Sequence, residues 1–275
     1  MLPSFLIVGA QKAGTSWLAK NVACHPNVFV FEKEIHFFDK AKNFQRGTNW
    51  YSSHFKERTE SAVGEKTPDY LWTDSDGAED HVMDSHRRIH NVVPDAKLIM
   101  VLREPIARAL SAAKHMMVTN RISPFASFDQ VFKRQLDKKS RPTTGLGLFK
   151  KGSYARQIRD FKTLFPEEQM LVLFYETQIK QHKMETLQTV CDYIGVNPTF
   201  EFSLMNSGIN VQRFSQLGIA WKRWIPFGKR FASRMPVSTP KISNGVLNQM
   251  QEYYRDSNKE VAEILGRELP TEWQY

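Results

Sequence analysis

The stretch FLIVGAQKAGTSWLAK, residues 5–20, decides the fold. Four apolar residues, Phe5 to Val8, lead into a segment bounded by Gly9 and Gly14, and helix-forming residues follow from Trp17 onward. An uninterrupted apolar run of this length suits a strand buried on both faces, as in a parallel sheet. Comparable runs stand at 28–31, 97–102 and 170–175, and Met184, Leu187, Val190, Cys191 and Ile194 recur at helical spacing before Gly195, a natural helix stop. Strands alternating with helices predict an α/β three-layer fold with a central parallel sheet flanked by helices.

The 275 residues are enough to bury a sizeable core, and they are expected to form one domain, 1–275. With 41% hydrophobic and 24% charged residues the chain belongs with globular proteins rather than disordered or fibrous ones. No apolar segment approaches the ~20 residues of a membrane span, and Met1 to Ser4 show neither a basic region nor a cleavage pattern. Two cysteines, Cys24 and Cys191, make no disulfide framework and lack metal-ligand spacing, so a cytoplasmic location is expected. The net charge of +9 is uneven: Arg213, Lys222, Arg223, Lys229, Arg230, Arg234 and Lys241 fall in a stretch without acidic residues between Glu201 and Glu252. Such a stretch serves an anionic ligand, an acidic polymer or a membrane surface, or is a solvated basic face. Residues 38–55 and 141–152 read as loop-rich, and 207–240 mix Trp and Phe with basic residues and prolines.

A triphosphate-binding loop reads G-x-x-x-x-G-K-[ST], with its lysine on the β- and γ-phosphates and its hydroxyl on magnesium. Here Gly9 and Gly14 keep the spacing and Ser16 keeps the hydroxyl, but Thr15 stands at the lysine position and the lysine is Lys12, inside the loop. A strand running through glycines into a helix N-terminus still offers free N–H groups and a positive dipole end to a phosphate. Lys12 is either a solvated loop lysine or a cation on an oxygen where charge develops during group transfer. "GAQKAGTSWL" resembles the 5'-phosphosulfate loop of sulfotransferases that use 3'-phosphoadenosine 5'-phosphosulfate (PAPS), whose lysine precedes the second glycine by two residues. The resemblance implies a P-loop-type fold, PAPS as donor, 3'-phosphoadenosine 5'-phosphate (PAP) as product and no metal. It places donor binding on Gly9, Lys12, Ala13, Gly14, Thr15, Ser16 and Trp17.

Such a donor requires a second anion site. "KLIMVLREPIARALSAAKH" brings a strand to its end at Arg103, with Pro105 suited to a helix start and Ser111 further along. A planar guanidinium can clamp a phosphate, and an arginine after a strand can equally serve an ion pair or a cap. The segment is similar to the family's 3'-phosphate motif, which assigns Arg103 and Ser111 to that phosphate. "KGSYARQIRDFKTLF" resembles a further stretch near the nucleotide and adds Tyr154.

On the acceptor side, "FEKEIHFFDK" sets Glu34, His36 and Asp39 among aromatics, and period-two alternation in an extended chain would point Glu34 and His36 to one side. A carboxylate there is either salt-bridged or a base that removes an acceptor proton. "KEIHFFD" is closely similar to a run in heparan sulfate 3-O-sulfotransferases, while "FQRGTNWYSSHF" and "GEKTPDYL" resemble stretches of the N-sulfotransferases. By this resemblance Glu34 is the base, Lys12 and His36 complete the catalytic set, and Asp39, Trp50 and Lys66 lie near the acceptor. Lys66 alternatively pairs with Glu34 and holds it ionised. The segment from Leu247 to Trp273 resembles the closing helix and ending of soluble bacterial relatives.

The expectation is a cytoplasmic sulfotransferase acting on a carbohydrate or small-metabolite acceptor, with no nucleic-acid partner. A P-loop kinase would need the lysine that Thr15 replaces. A binder of acidic polymers would leave Glu34 and both anion motifs without a role.

Overall fold

The computed structural model describes residues 1–73, 82–123, 125–136, 147–203 and 242–275. The basic run Arg213 to Lys241, the stretch 207–240 and residues 141–146 lie outside the described residues.

Strand β1 (Phe5–Gly9) is buried along its whole length at the centre of a five-stranded sheet, ordered β2-β3-β1-β4-β5. Every pairing is parallel, with Phe5 opposite Gly64 on one side and Lys97 on the other. β2 (Val28–Phe31) and β4 (Lys97–Leu102) coincide with the apolar runs, and β5 (Met170–Phe174) ends one residue earlier than the run, since Tyr175 opens a single π-helical turn, Tyr175–Ile179. The apolar runs give no sign of β3 (Ala62–Lys66), which lies fully buried between β2 and β1. Its sequence, AVGEK, ends in two charges, and an apolar-run criterion misses a buried strand whose last residues serve a polar site.

Helices flank the sheet, among them α4 (Ser85–Val92), whose Ile89 is buried in the core. α1 (Thr15–Val22) follows the β1 loop and packs near α8 (Lys183–Ile194), which stops at Gly195 with φ +82° as its spacing predicts. α5 (Pro105–Val118) begins at Pro105, and the Glu104 carboxylate caps it by accepting from the amides of Ile106 and Ala107 at 2.8 and 2.6 Å. α7 (Tyr154–Lys162) packs along the long closing helix α9 (Asn244–Leu265). A second apolar cluster joins α5, α6 (Phe128–Leu136) and the start of α9 through Met117, Phe132, Phe149 and Tyr254. Among the described residues no helix is long and apolar enough to cross a membrane.

Residues 38–55 are more ordered than their polarity suggests. They form α2 (Ala41–Phe44), α3 (Gly47–Ser52) and a final 3₁₀ turn. Helices this short do not stand on propensity. Phe37, Phe38, Tyr51 and Phe55 are fully buried there, with Phe37 and Tyr51 stacked at 4.4 Å, so aromatic packing holds the segment against the sheet.

Candidate active site

All five strands run the same way, so the loops after β1, β2, β3 and β4 gather at the carboxyl ends of the strands, where open α/β sheets bind ligands. The β1 loop turns into α1 at Gly14, which has φ +92°. A Cβ there would meet Tyr175 at 3.0 Å and Ile179 at 3.1 Å, so both the backbone and the space demand glycine. Gly9 is as tightly packed: a Cβ would sit 2.5 Å from that of Leu71. Ala13, Thr15 and Trp17 are buried, while Lys12 and Ser16 are half-exposed. The loop therefore presents backbone amides of the first helical turn together with two polar side chains.

Lys12 has φ +70°, and its carbonyl accepts a hydrogen bond from Arg103 Nη1 at 3.0 Å. This bond ties the loop after β1 to the end of β4. Burial and then the Arg103 charge push the Lys12 ammonium below its ordinary value, with Glu34 pulling the other way. The Arg103 cation and the Glu34 carboxylate thus both act on the lysine, with opposite sign.

Arg103 is held by its backbone. The fully buried Tyr154 donates its hydroxyl proton to the Arg103 carbonyl at 2.9 Å, so Tyr154 acts on this side by fixing Arg103 rather than by lining the surface. The guanidinium lies over the Tyr175 ring at 4.7 Å, and its buried Nε has no hydrogen-bond partner among the described residues. A buried, unanswered guanidinium donor is costly, and an anion would satisfy it. Ser111 is half-exposed two turns along α5. Lys114, one turn further, is not among the residues the motifs single out; burial and the Arg103 charge both lower it, which puts a second cation on the Arg103 side. Its three-residue spacing from Ser111 on one helix face is the sequence signal that could have found it.

On the other side Glu34, His36, Asp39 and Lys66 form one ion cluster. Lys66 Nζ, at the end of β3, lies 2.5 Å from Glu34 Oε1 and 3.4 Å from Ser16 Oγ. The His36 ring is bracketed: Nδ1 is 2.9 Å from Asp39 Oδ2 and Nε2 is 3.4 Å from Glu34 Oε2. A ring with carboxylates at both nitrogens is favoured as the doubly protonated cation. Burial alone would lower its pKa, but Asp39 and Glu34 raise it to about 10. Burial pushes Glu34 upward, yet the His36 hydrogen bond and the Lys66 charge outweigh this and leave it below its ordinary value. Glu34 is therefore a carboxylate at neutral pH, and Lys66 takes the pairing role of its two expected ones.

Glu34 and His36 do meet, but not through extended alternation. His36 has φ +53°, and this left-handed turn folds its ring back over Glu34. Such a conformation costs a non-glycine residue ~1–3 kcal/mol. Asn43 Nδ2 donates to the carbonyls of Ile35 and His36, both at 3.1 Å, and Thr67 Oγ1 accepts from the Ile35 amide at 3.2 Å. At about 1 kcal/mol net each, these bonds offset the strain. Trp50 belongs to the adjoining aromatic wall, 6.0 Å from Phe37 with Arg46 stacked 3.9 Å over it.

His36, Asp39 and Asp69 bring ligand-type atoms within 4.8 Å of one another. Asp69 accepts from Lys151 Nζ at 2.8 Å and Gln11 Nε2 at 3.2 Å, while His36 faces Asp39. Protein cations already answer these carboxylates, so the group reads as an ion-pair network.

The chain belongs to the sulfotransferase domain family, whose model matches residues 2–226. It is 26% identical over 280 residues to the human heparan sulfate glucosamine 3-O-sulfotransferase 6, covering 97% of this chain and 73% of that protein. It is likewise 26% identical over 290 residues to the human bifunctional heparan sulfate N-deacetylase/N-sulfotransferase 3, covering 98% of this chain and 31% of the relative. In fold it is similar to the sulfotransferase from Alicyclobacillus acidocaldarius, with a TM-score of 0.73 and 22% identity over the full length of both chains. The chain is accordingly an enzyme, a sulfotransferase, with the P-loop-like α/β fold.

Proposed function

We propose that this sulfotransferase moves a sulfuryl group from PAPS to a hydroxyl or amine of a carbohydrate or small metabolite and releases PAP. The observation that carries the reading is the Lys12 loop, which Arg103 binds through the Lys12 carbonyl at 3.0 Å while Lys66 joins Ser16 of the same loop, at 3.4 Å, to Glu34, at 2.5 Å. That is where a cation is needed between a bound phosphate and an acceptor.

Gly9 to Ser16 would hold the 5'-phosphosulfate with the loop amides, and Arg103 and Ser111, joined by Lys114, would hold the 3'-phosphate. The unanswered Arg103 Nε supports this assignment. Glu34 takes the acceptor proton as the new O–S or N–S bond forms. The S–O bond to the 5'-phosphate breaks, its electrons stay on that phosphate oxygen, and Lys12 stabilises the charge appearing there. His36 and Lys66 keep Glu34 ionised, and Asp39 keeps the His36 ring in place. Positioning on rigid loops supplies much of the remaining rate.

Relatives whose names specify heparan sulfate support a carbohydrate acceptor, and they include both O- and N-sulfating enzymes. A cytoplasmic location belongs to the same proposal and rests on cysteine usage.

The test is calorimetric titration with PAP in the absence of added metal, with ATP plus magnesium as control. Tight PAP binding that weakens in Arg103→Ala is the expected result. A preference for ATP with magnesium would overturn the donor assignment. Transfer of radiolabelled sulfuryl from PAPS to a panel of oligosaccharides and hydroxylated or amino metabolites then identifies the acceptor.

A further inference from the structure

Glu65 precedes Lys66 on β3, and strand alternation turns its side chain to the opposite face, where it is fully buried. The carboxylate receives three hydroxyl hydrogen bonds, from Tyr51 at 2.6 Å, from Tyr70 at 2.8 Å and from Thr67 at 2.8 Å. A hydroxyl has one proton to give. Because Thr67 and Tyr70 give theirs to Glu65, their lone pairs turn outward, and both accept backbone amides. Thr67 Oγ1 accepts from Ile35 N at 3.2 Å with a longer contact from His36 N at 3.5 Å, and Tyr70 Oη accepts from Phe37 N at 3.0 Å. Three consecutive amides of the segment that carries Glu34 and His36 are thus organised by one carboxylate. The third donor, Tyr51, stacks on the ring of Phe37 in the same segment.

We propose that Glu65 is a positioning residue of the transfer reaction: through Thr67 and Tyr70 its carboxylate holds residues 35–37 so that Glu34 and His36 stay on the acceptor side. The inference rests on the reading of those two residues given above. β3 then serves the site from both faces, Lys66 holding the Glu34 side chain and Glu65 the backbone beside it. A neutral group of the same shape cannot accept from all three hydroxyls. In Glu65→Gln the amide nitrogen must face at least one of them as a donor, so that hydroxyl loses the acceptor for its own proton and is no longer held in the orientation that meets the backbone amide. Burial pushes Glu65 up to about 7 against the pull of Tyr51, Thr67 and Tyr70, with the Asp39 charge adding to the rise, so the three-hydroxyl network is complete above that pH, the range in which the His36 ring is to be titrated. A carboxylate kept in the core at this cost is more readily explained by the site than by stability.

The experiment is an NMR titration of the His36 ring in the full chain, assigned by comparison with His36→Gln. In the wild type the ring is expected to titrate well above the ordinary imidazole range, near about 10, because of its contacts with Asp39 and Glu34. In Glu65→Gln those contacts loosen and the ring pKa falls by more than ~1 unit toward its ordinary range, while PAP affinity changes much less, because the bond of Arg103 to the Lys12 carbonyl lies outside this network. A role in packing alone would lower thermal stability and leave the ring titration of the folded protein where it was. Thr67→Val removes one link and keeps Glu65, Tyr51 and Tyr70, so it remains informative if Glu65→Gln does not fold, and the same fall is expected. An unchanged His36 titration in whichever variant folds overturns the proposal. Absence of PAP binding in the wild type would instead overturn the donor reading, and the ring titration would still report on Glu65.

Discussion

Lys66 Nζ stands 2.5 Å from Glu34 Oε1, so the last residue of β3 holds the carboxylate that follows β2. The pair has a direct consequence for pH dependence. With Lys66 removed, the upward push of burial on Glu34 is opposed by His36 alone among the two principal partners. Lys66→Ala is expected to move the acid limb of the transfer rate to higher pH and to lower kcat by ~10–10²-fold at neutral pH. A pH profile with PAPS and an identified acceptor checks this, and an unmoved acid limb would separate Lys66 from the ionisation of Glu34.

Lys12→Ala removes the cation from the loop without disturbing the carbonyl that Arg103 binds, since that bond uses the backbone. Turnover is expected to fall ~10²–10³-fold, the range for loss of one charge-stabilising group in a transition state. Thermal stability and PAP affinity should change much less than turnover. Single-turnover measurements distinguish the two effects, and near-normal turnover would remove Lys12 from the reaction.

Arg103→Ala acts on binding. The guanidinium makes a bond to the loop carbonyl, stacks over Tyr175 and has no hydrogen-bond partner for its buried Nε among the described residues. Hydrogen bonds to charged groups are worth ~1.5–3 kcal/mol, so PAP affinity should fall ~10–10²-fold. The loss should be partly masked in high salt if Lys114 supplies a second cation nearby. Calorimetry at two salt concentrations, on Arg103→Ala and Lys114→Ala, reads both contributions.

Much of this was legible in the residues, for identifiable reasons. β1, β2 and β4 are continuous apolar runs because both faces are covered, and Gly195 and Pro105 mark helix boundaries through backbone geometry that side-chain context does not override. β3 is hidden because its Glu65 and Lys66 make buried polar contacts on opposite faces, Glu65 with Tyr51 and Lys66 with Glu34. The meeting of Glu34 with His36 was foreseen for the wrong reason, since the positive φ of His36 is set by Thr67 and Asn43, residues distant in sequence or on another element. The motif resemblance puts Tyr154 near the nucleotide, and its hydrogen bond to the Arg103 carbonyl depends on packing that no local pattern encodes.

Gly14→Ala tests the loop itself. The residue would be forced to φ +92° with its Cβ 3.0 Å from Tyr175, and the left-handed conformation alone costs ~1–2 kcal/mol. A fall in stability of at least this size is expected, with a larger proportional loss of PAP binding because the same turn orients the first amides of α1. Thermal melts with and without PAP report both quantities. Equal stability of variant and wild type would show that the turn relaxes.

His36 gives the last prediction, and its sign follows from the raised folded-state pKa. Its ordinary value is 6.5 and the folded protein raises it to about 10, through Asp39 and Glu34 and against burial. A group shifted upward stabilises the fold fully below its unfolded pKa, and that contribution disappears as pH rises through the folded one. Stability attributable to His36 is therefore complete below about pH 6.5, declines progressively above it and is gone above about pH 10, a change on the order of a few kcal/mol. Other groups titrate in the same window, Tyr and Lys among them, so the measurement is the difference between wild type and His36→Gln in denaturant unfolding from pH 6 to 10. The difference should shrink steadily across that range. A constant difference would mean that the ring is neutral between its two carboxylates, and Glu34 would then depend on Lys66 alone for its charge.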